Sequence, residues 1–130
     1  MIDQNLLKPN KNILIVDDAF DVRIMLKEIF KNEGIGLIDE VKSSEDALHK
    51  MTKFNYQVIF LDIELPGKSG LSIVDSVKAS YPNTAVIMIS SHNTVDNVRE
   101  ALVRGADGFI VKPFSIKKIK NILSQLTKAA

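Results

Sequence analysis

The segment FLDIELPGKSG, residues 60–70, joins an apolar run to a turn and contains an acid at the junction. Val58 and Ile59 precede it, so four apolar residues run without interruption up to Asp62. A short run of β-branched, aromatic and aliphatic residues indicates a strand that is covered on both faces. Pro66 and Gly67 then indicate that the chain turns away from the sheet directly after this strand. Asp62 is therefore expected at the carboxyl end of a buried strand.

Four other segments carry strand patterns of similar length. Three are apolar throughout, as parallel strands between two layers of helices must be: Ile13–Val16, Ala85–Ile89 and Phe109–Val111. The fourth, Leu37–Val41, contains Asp39 and Glu40, so we expect it toward an edge of the sheet. The sequence thus predicts five strands.

Segments of helical periodicity separate and follow these strands. In the first helix, which Gly34 ends, five apolar residues fall on one face: Val22, Met25, Leu26, Ile29 and Phe30. The other four helices are marked by Ser44, Ala47, Leu48 and Met51; by Ile73, Val74 and Val77 before Pro82; by Thr94–Arg104 before Gly105; and by the segment after Ser115, a candidate N-cap. Five β–α units with right-handed crossovers predict a doubly wound parallel α/β sheet, (βα)5, with helices on both faces.

Composition fits one globular domain and excludes several functions. The 130 residues are 45% hydrophobic, and 17 Lys and Arg oppose 16 Asp and Glu, a net charge of +1. With this balance the chain has no strong positive electrostatic field that would favour direct binding of nucleic acid. The chain has no cysteine, which excludes disulfides and thiol nucleophiles. It also lacks a signal peptide and any apolar stretch of roughly 18 residues, so we expect a cytoplasmic protein without a membrane span.

Polar residues gather at one edge of the predicted sheet, where doubly wound folds bind ligands. The first strand leads into Asp17 and Asp18, the third into Asp62, the fourth into Ser90 and the fifth into Lys112. Three carboxylates and one ammonium leave a formal charge of −2, which a divalent cation would cancel. Oxygen ligands without His or Cys favour Mg²⁺ or Mn²⁺ over zinc.

These motifs together resemble the receiver domain of two-component response regulators. The similarity rests on an acid pair after strand one, Asp with a downstream Pro-Gly after strand three, Ser after strand four and Lys-Pro after strand five. The resemblance implies a flavodoxin-like sheet with strand order 2-1-3-4-5. It also implies a receiver domain over residues 12–128 that follows an N-terminal extension over residues 1–11.

The resemblance implies a role for each residue of this edge. Asp62 would accept a phosphoryl group from a sensor histidine kinase or a phosphotransfer protein. Asp17, Asp18, Asp62 and the backbone carbonyl of Glu64 would hold Mg²⁺. Ser90 and Lys112 would each contact a phosphoryl oxygen, and the Lys112–Pro113 peptide bond would be cis. Such a protein is not a conventional enzyme, although it promotes its own phosphorylation and dephosphorylation.

Further implied roles concern switching and lifetime. Ser90 and Phe109 would switch the partner face formed by the fourth helix, fifth strand and fifth helix, although Phe109 is equally well explained as a packing residue. Glu64 and His92 would tune the lifetime of the acyl phosphate, or are simply solvated loop residues. Four apolar residues are either exposed on the partner face or part of the core: Val95, Val98, Leu102 and Ile122.

Other functions fit the sequence less well. A nucleotide- or flavin-binding domain of flavodoxin type needs a phosphate cradle after strand one, where this chain has Asp17 and Asp18. An aspartyl-phosphate hydrolase needs an Asp two residues after Asp62, and Glu64 stands there. A receiver-like docking module that is never phosphorylated is the third alternative. The output is open: an effector protein or a missing C-terminal output domain, with a monomer or a dimer on activation.

Overall fold

The computed structural model describes residues 11–67, 69–92 and 94–129; most of the predicted N-terminal extension, residues 1–10, lies outside them. The strands are β1 Asn12–Val16, β2 Leu37–Val41, β3 Val58–Asp62, β4 Ala85–Ser90 and β5 Gly108–Val111. The helices are α1 Phe20–Asn32, α2 Ser44–Met51, α3 Leu71–Ser80, α4 Val95–Val103 and α5 Ile116–Ala129. The predicted alternation of five strands and five helices is confirmed.

All five strands pair in parallel in one sheet with the order β2-β1-β3-β4-β5. This confirms the predicted doubly wound topology, and β2 is an edge strand as its two acids indicated. The register aligns the carboxyl ends: Val16 pairs with Leu61, and Ser90 pairs with Val111. Residues that follow these strands therefore emerge side by side.

Helices cover both faces of the sheet. On one face, Leu26, Ile29 and Phe30 of α1 pack with Ile119 and Leu123 of α5. On the other face, α2, α3 and α4 contribute the buried residues Ala47, Met51, Ile73, Val74, Val77 and Ala101. All five residues of β3 are buried, which accounts for its uninterrupted apolar run before Asp62.

Two boundaries matter for the site. The predicted runs end at Leu61 and Ile89, whereas β3 and β4 each continue for one more residue, to Asp62 and Ser90. Asp62 and Ser90 are thus the last residues of buried strands, and pairing with Ile89 and Val111 holds their backbones in the sheet. At the fourth helix, Thr94 is the N-cap, its side chain accepting from the Asn97 N–H at 3.1 Å.

The buried face of α1 differs from the prediction at one position. Met25 was expected on the apolar face, but its side chain is 44% exposed. The buried positions of α1 are Arg23, Leu26, Ile29 and Phe30. The buried stripe of the helix is therefore shifted around the axis toward Arg23, a charged residue that takes one of the inward positions.

Across the described ranges, no helix has both the length and the apolar character that a bilayer span requires.

Candidate functional site

Three carboxylates meet where β1 and β3 end. Asp17 and Asp18 directly follow β1, and Asp62 closes β3. One carboxylate oxygen of each residue lies within 4.8 Å of those of the other two. Asp17 and Asp62 are buried, whereas Asp18 is exposed, so solvent reaches the cluster from the side of Asp18. The structure thus brings together the three acids that the sequence placed at this edge.

Lys112 supplies the positive charge of the cluster. Its Nζ lies 2.8 Å from Asp17 Oδ2 and 3.3 Å from Asp62 Oδ2, and its side chain is 17% exposed. Burial acts to lower the pKa of Lys112, but the two carboxylates outweigh it and raise the pKa above its usual value. The ammonium is therefore charged at neutral pH and bridges the two buried acids.

The pKa of the Asp62 carboxyl lies above the ordinary value for an aspartate. Burial, and then the negative charge of Asp17, raise the pKa of Asp62 to about 6. The Glu64 N–H, which donates to Asp62 Oδ1 at 2.9 Å, and the Lys112 ammonium oppose this rise. The Asp62 carboxylate is consequently held in a fixed direction while carrying an unfavourable buried charge.

The cluster fits a divalent cation with oxygen ligands. Asp17 Oδ1 accepts from the Ala19 N–H at 2.8 Å. Asp17 Oδ2 is buried and has no hydrogen-bond partner among the described residues, since Lys112 Nζ approaches it outside hydrogen-bond geometry. Apart from its ion pair with Lys112, this buried oxygen has unused lone pairs that a hard cation would accept. The all-carboxylate donor set suits Mg²⁺ or Mn²⁺.

Ser90 and Glu64 connect the loops that follow β4 and β3. The buried Ser90 hydroxyl donates to Glu64 Oε2 at 2.5 Å and accepts from the His92 N–H at 2.9 Å. The Ser91 N–H donates to the other oxygen, Glu64 Oε1, at 3.0 Å. The His92 side chain is 66% exposed, with Nδ1 3.7 Å from Glu64 Oε1. In this conformation the Ser90 hydroxyl is therefore hydrogen-bonded to the Glu64 carboxylate.

The loop after Asp62 folds back tightly over the end of β3. The Gly70 N–H donates to the Ile63 carbonyl at 2.9 Å. A Cβ added to Gly70 would lie 2.1 Å from the carbonyl oxygen of Asp62. Only glycine fits where α3 begins, because any side chain would push the loop off the backbone of Asp62.

Phe109 and Pro113 flank Lys112. Phe109 is half-buried on β5, beside Met88 of β4, and packs against the core on the α2–α4 face. The Lys112–Pro113 peptide bond is cis, and the Lys112 N–H donates to the Ser90 carbonyl at 2.8 Å. Lys112 is thereby tied to the end of the neighbouring strand.

The surface formed by α4, β5 and α5 carries exposed apolar side chains. Val95 and Leu102 of α4 are 71% and 51% exposed. Val98 and Ile122 are half-buried, and Ile122 packs against the α1–α5 core. Of the four residues that sequence left open, two are therefore surface residues and two lie at the boundary. Val103 and Ile116 add to the exposed set.

One residue near the site was not singled out from sequence. Arg23 of α1 is 5% exposed, and its Nη1 donates to the backbone carbonyl of Asp17 at 2.9 Å. Its spacing was the available signal, because Arg23, Leu26 and Phe30 follow one another at i, i+3 and i+7 on one helical face.

Comparison with known proteins agrees with this geometry. Residues 13–124 match the family model of the response regulator receiver domain. The chain is 31% identical to the chemotaxis protein CheY of Thermotoga maritima, over 91% of this chain and 98% of that protein. It is 32% identical to sporulation initiation phosphotransferase F of Bacillus subtilis, over 89% of this chain and 93% of that protein.

A solved structure carries the same fold. The response regulator protein TrrA of Thermotoga maritima, solved in complex with Mg²⁺ and BeF, superimposes with a TM-score of 0.80 at 32% identity, over 89% of this chain and 98% of that one. The family match spans well over half of the chain, and the relatives are covered almost completely. The chain therefore belongs to the family of response regulator receiver domains.

Proposed function

We propose that this protein acts in a phosphorelay, taking a phosphoryl group onto Asp62 in a Mg²⁺-dependent reaction and changing partner binding as a result. The observation that carries the proposal is the convergence of Asp17, Asp18 and Asp62 with the Lys112 ammonium at one edge of the sheet. The donor would be a phosphohistidine of a sensor kinase or of a phosphotransfer protein.

The transfer exchanges one bond to phosphorus for another. An Asp62 carboxylate oxygen attacks the phosphorus, the P–N bond to the donor histidine breaks, and the leaving imidazole keeps the electron pair and takes up a proton. Asp62 needs no base once it is ionised, because a carboxylate is already a nucleophile. Its fixed direction, set by the Glu64 N–H at 2.9 Å, favours an in-line approach.

Charge neutralisation is the main contribution of the surrounding residues. The phosphoryl oxygens are negative, and Lys112, 3.3 Å from Asp62 Oδ2, is placed to pair with one of them. Asp17, Asp18, Asp62 and the Glu64 carbonyl would hold Mg²⁺, which, when bound, offsets the charge of both the carboxylates and the phosphoryl group. Lys112 and the cation thereby make transfer between anions feasible.

Switching would begin with the Ser90 hydroxyl. It now donates to Glu64 Oε2 at 2.5 Å, so a phosphoryl oxygen must compete with that carboxylate for the same proton. A phosphoryl group on Asp62 also adds negative charge near Glu64, which disfavours the present position of that side chain. Release of Glu64 frees Ser90 to move toward the phosphoryl group.

The movement would reach the surface through Phe109. This ring is half-buried on β5, and the exposed Val95 and Leu102 lie on the α4 side of the same surface. An inward turn of Phe109 would reshape the α4-β5-α5 face, where an effector or a C-terminal output domain would bind. Phosphorylation then shifts a pre-existing equilibrium toward the binding conformation.

Loss of the phosphoryl group would be self-promoted and tuned by two side chains. Glu64 and His92, whose side chains approach each other to 3.7 Å, would line the approach to Asp62 from the loops. Their positions would then determine how water reaches the acyl phosphate. The protein would thus promote both halves of its cycle without being a conventional enzyme.

The proposal is tested by intact mass spectrometry after incubation with phosphoramidate, with Mg²⁺ or with EDTA. We expect one phosphoryl adduct in the wild-type chain with Mg²⁺, and none in Asp62→Asn. Asp21→Asn is the matched control, since Asp21 is an exposed acid of the neighbouring helix, and it should behave as wild type. An adduct that persists in Asp62→Asn would reject Asp62 as the acceptor.

A further inference from the structure

Arg23 is the one basic residue among the buried polar and charged side chains of the described ranges. A buried cation is costly unless its charge and its donors are matched. A lysine or arginine on the exposed side of α1 would avoid this cost entirely. The location of Arg23 therefore calls for a specific reason within the fold.

The guanidinium joins three elements. Arg23 Nη1 donates to the Asp17 carbonyl at 2.9 Å, and Nε donates to Glu40 Oε1, on β2, at 2.7 Å. Lys27 Nζ lies 2.5 Å from the second oxygen, Glu40 Oε2. Glu40 is thus clamped between Lys27 and Arg23, and it fixes Arg23 against the end of β1.

The hydrogen bond from Arg23 to the Asp17 carbonyl fixes the peptide group that joins Asp17 to Asp18. The Asp17 carbonyl and the Asp18 N–H belong to one planar peptide group, so the direction of the first sets the direction of the second. The Asp17 N–H is already held by the Val41 carbonyl at 3.2 Å. Because the N–H and the carbonyl of Asp17 are both held by hydrogen bonds, the position of the Asp18 Cα is fixed as well.

We propose that Arg23, anchored by Glu40, is a positioning residue that orients the Asp17–Asp18 peptide so that both carboxylates converge on one divalent cation. This inference rests on the proposed function, since it presupposes that the acidic cluster binds Mg²⁺. Arg23 contacts neither phosphoryl group nor metal; it acts through the backbone that carries the ligands.

The test is Mg²⁺ binding to the full chain by isothermal titration calorimetry, without any phosphoryl donor. Arg23→Met removes both hydrogen bonds and should raise the dissociation constant for Mg²⁺ about tenfold, as for other residues that orient metal ligands. Glu40→Ala leaves Arg23 present but unanchored and should weaken binding in the same direction. Lys31→Met is the matched control, because Lys31 is an exposed base of the same helix that takes no part in the contact with Glu40, and it should bind within about twofold of wild type.

Each sample is also checked by thermal unfolding and by the amide shift of Asp18. A general packing role would lower the melting temperature of the Arg23 variant without changing its Mg²⁺ affinity, and that result would overturn the inference. If Arg23→Met does not fold, Glu40→Ala alone decides: unchanged affinity rejects the role, weakened affinity supports it. If the wild-type chain binds no Mg²⁺, the proposed function and this inference are overturned together. If the wild type binds Mg²⁺ and both variants bind it with the same affinity, the inference alone is overturned.

Discussion

The Ser90 hydroxyl donates a hydrogen bond of 2.5 Å to Glu64 Oε2, which links the ends of β4 and β3 across 26 residues of sequence. The same carboxylate accepts from the Ser91 N–H at 3.0 Å, so Glu64 holds the β4–α4 loop through both of its oxygens. In this conformation the hydroxyl proposed to contact the phosphoryl group is engaged by a side chain of the protein. Glu64 and a phosphoryl group therefore compete for Ser90.

Removal of this competitor should favour the activated state. In Glu64→Ala the Ser90 hydroxyl keeps only its neutral contacts with the His92 backbone, and a hydrogen bond to a charged group, worth about 1.5–3 kcal/mol, no longer has to be broken. We expect beryllofluoride with Mg²⁺ to bind about tenfold more tightly, measured by NMR titration. Asp96→Ala, an exposed acid on α4, is the control. Equal or weaker binding in Glu64→Ala would contradict the competition.

Stability should depend on pH through Asp62. In the folded protein the pKa of Asp62 is about 6, against an ordinary value of 3.8, because the carboxyl is buried beside Asp17. Stability from this group is complete below the ordinary value and is lost as the pH rises through about 6.

Without metal at pH 7.5, the free energy of unfolding of Asp62→Asn should therefore be roughly 2 kcal/mol higher than that of wild type. The difference should vanish toward pH 4. Urea titrations at several pH values measure it. Glu28→Gln, at an exposed position of α1, should show no such dependence. A variant less stable than wild type at pH 7.5 would show that Lys112 and the Glu64 N–H stabilise the ionised Asp62 by more than burial and Asp17 destabilise it.

Loss of the bridging cation should impair phosphorylation. Lys112→Met leaves Asp17 and Asp62 without the ammonium that lies 2.8 and 3.3 Å from their oxygens. We expect the initial rate of phosphorylation by phosphoramidate to fall about 10²-fold, the usual effect of removing one electrostatic contact to a transition state. Lys117→Met, exposed on α5, should leave the rate unchanged. A Lys112→Met rate within twofold of wild type would remove Lys112 from the mechanism.

The loop after β3 should not tolerate a side chain at residue 70. In Gly70→Ala the new methyl would lie 2.1 Å from the Asp62 carbonyl oxygen, so the backbone must shift, at a cost of about 1–3 kcal/mol. We expect weaker Mg²⁺ binding together with this loss of stability. Gly67→Ala tests the same loop without a clash, because its Cβ meets nothing within 4 Å and only the φ of +79° is strained. Equal Mg²⁺ affinity in both variants would contradict the coupling to Asp62.

Local signals account for what the sequence predicted well. Apolar runs that end in acids, Ser or Lys mark strand ends directly, and parallel topology then brings Asp17, Asp62 and Lys112 together. The contact between Glu64 and Ser90 carries no such signal, because it depends on where two loops converge. Arg23 was missed and Met25 misplaced for a related reason: helical spacing gives an angle around the axis, but not which part of the stripe meets the sheet.

The most direct test locates the phosphoryl group by chemical trapping. Borohydride reduces an aspartyl phosphate to homoserine, so the chain is treated with phosphoramidate and Mg²⁺, reduced, digested and sequenced by tandem mass spectrometry. The account predicts homoserine at residue 62 and at no other aspartate, and none when EDTA replaces Mg²⁺. Homoserine at Asp17 or Asp18, or its absence at residue 62 under all conditions, would contradict the assignment of Asp62 as the phosphoacceptor.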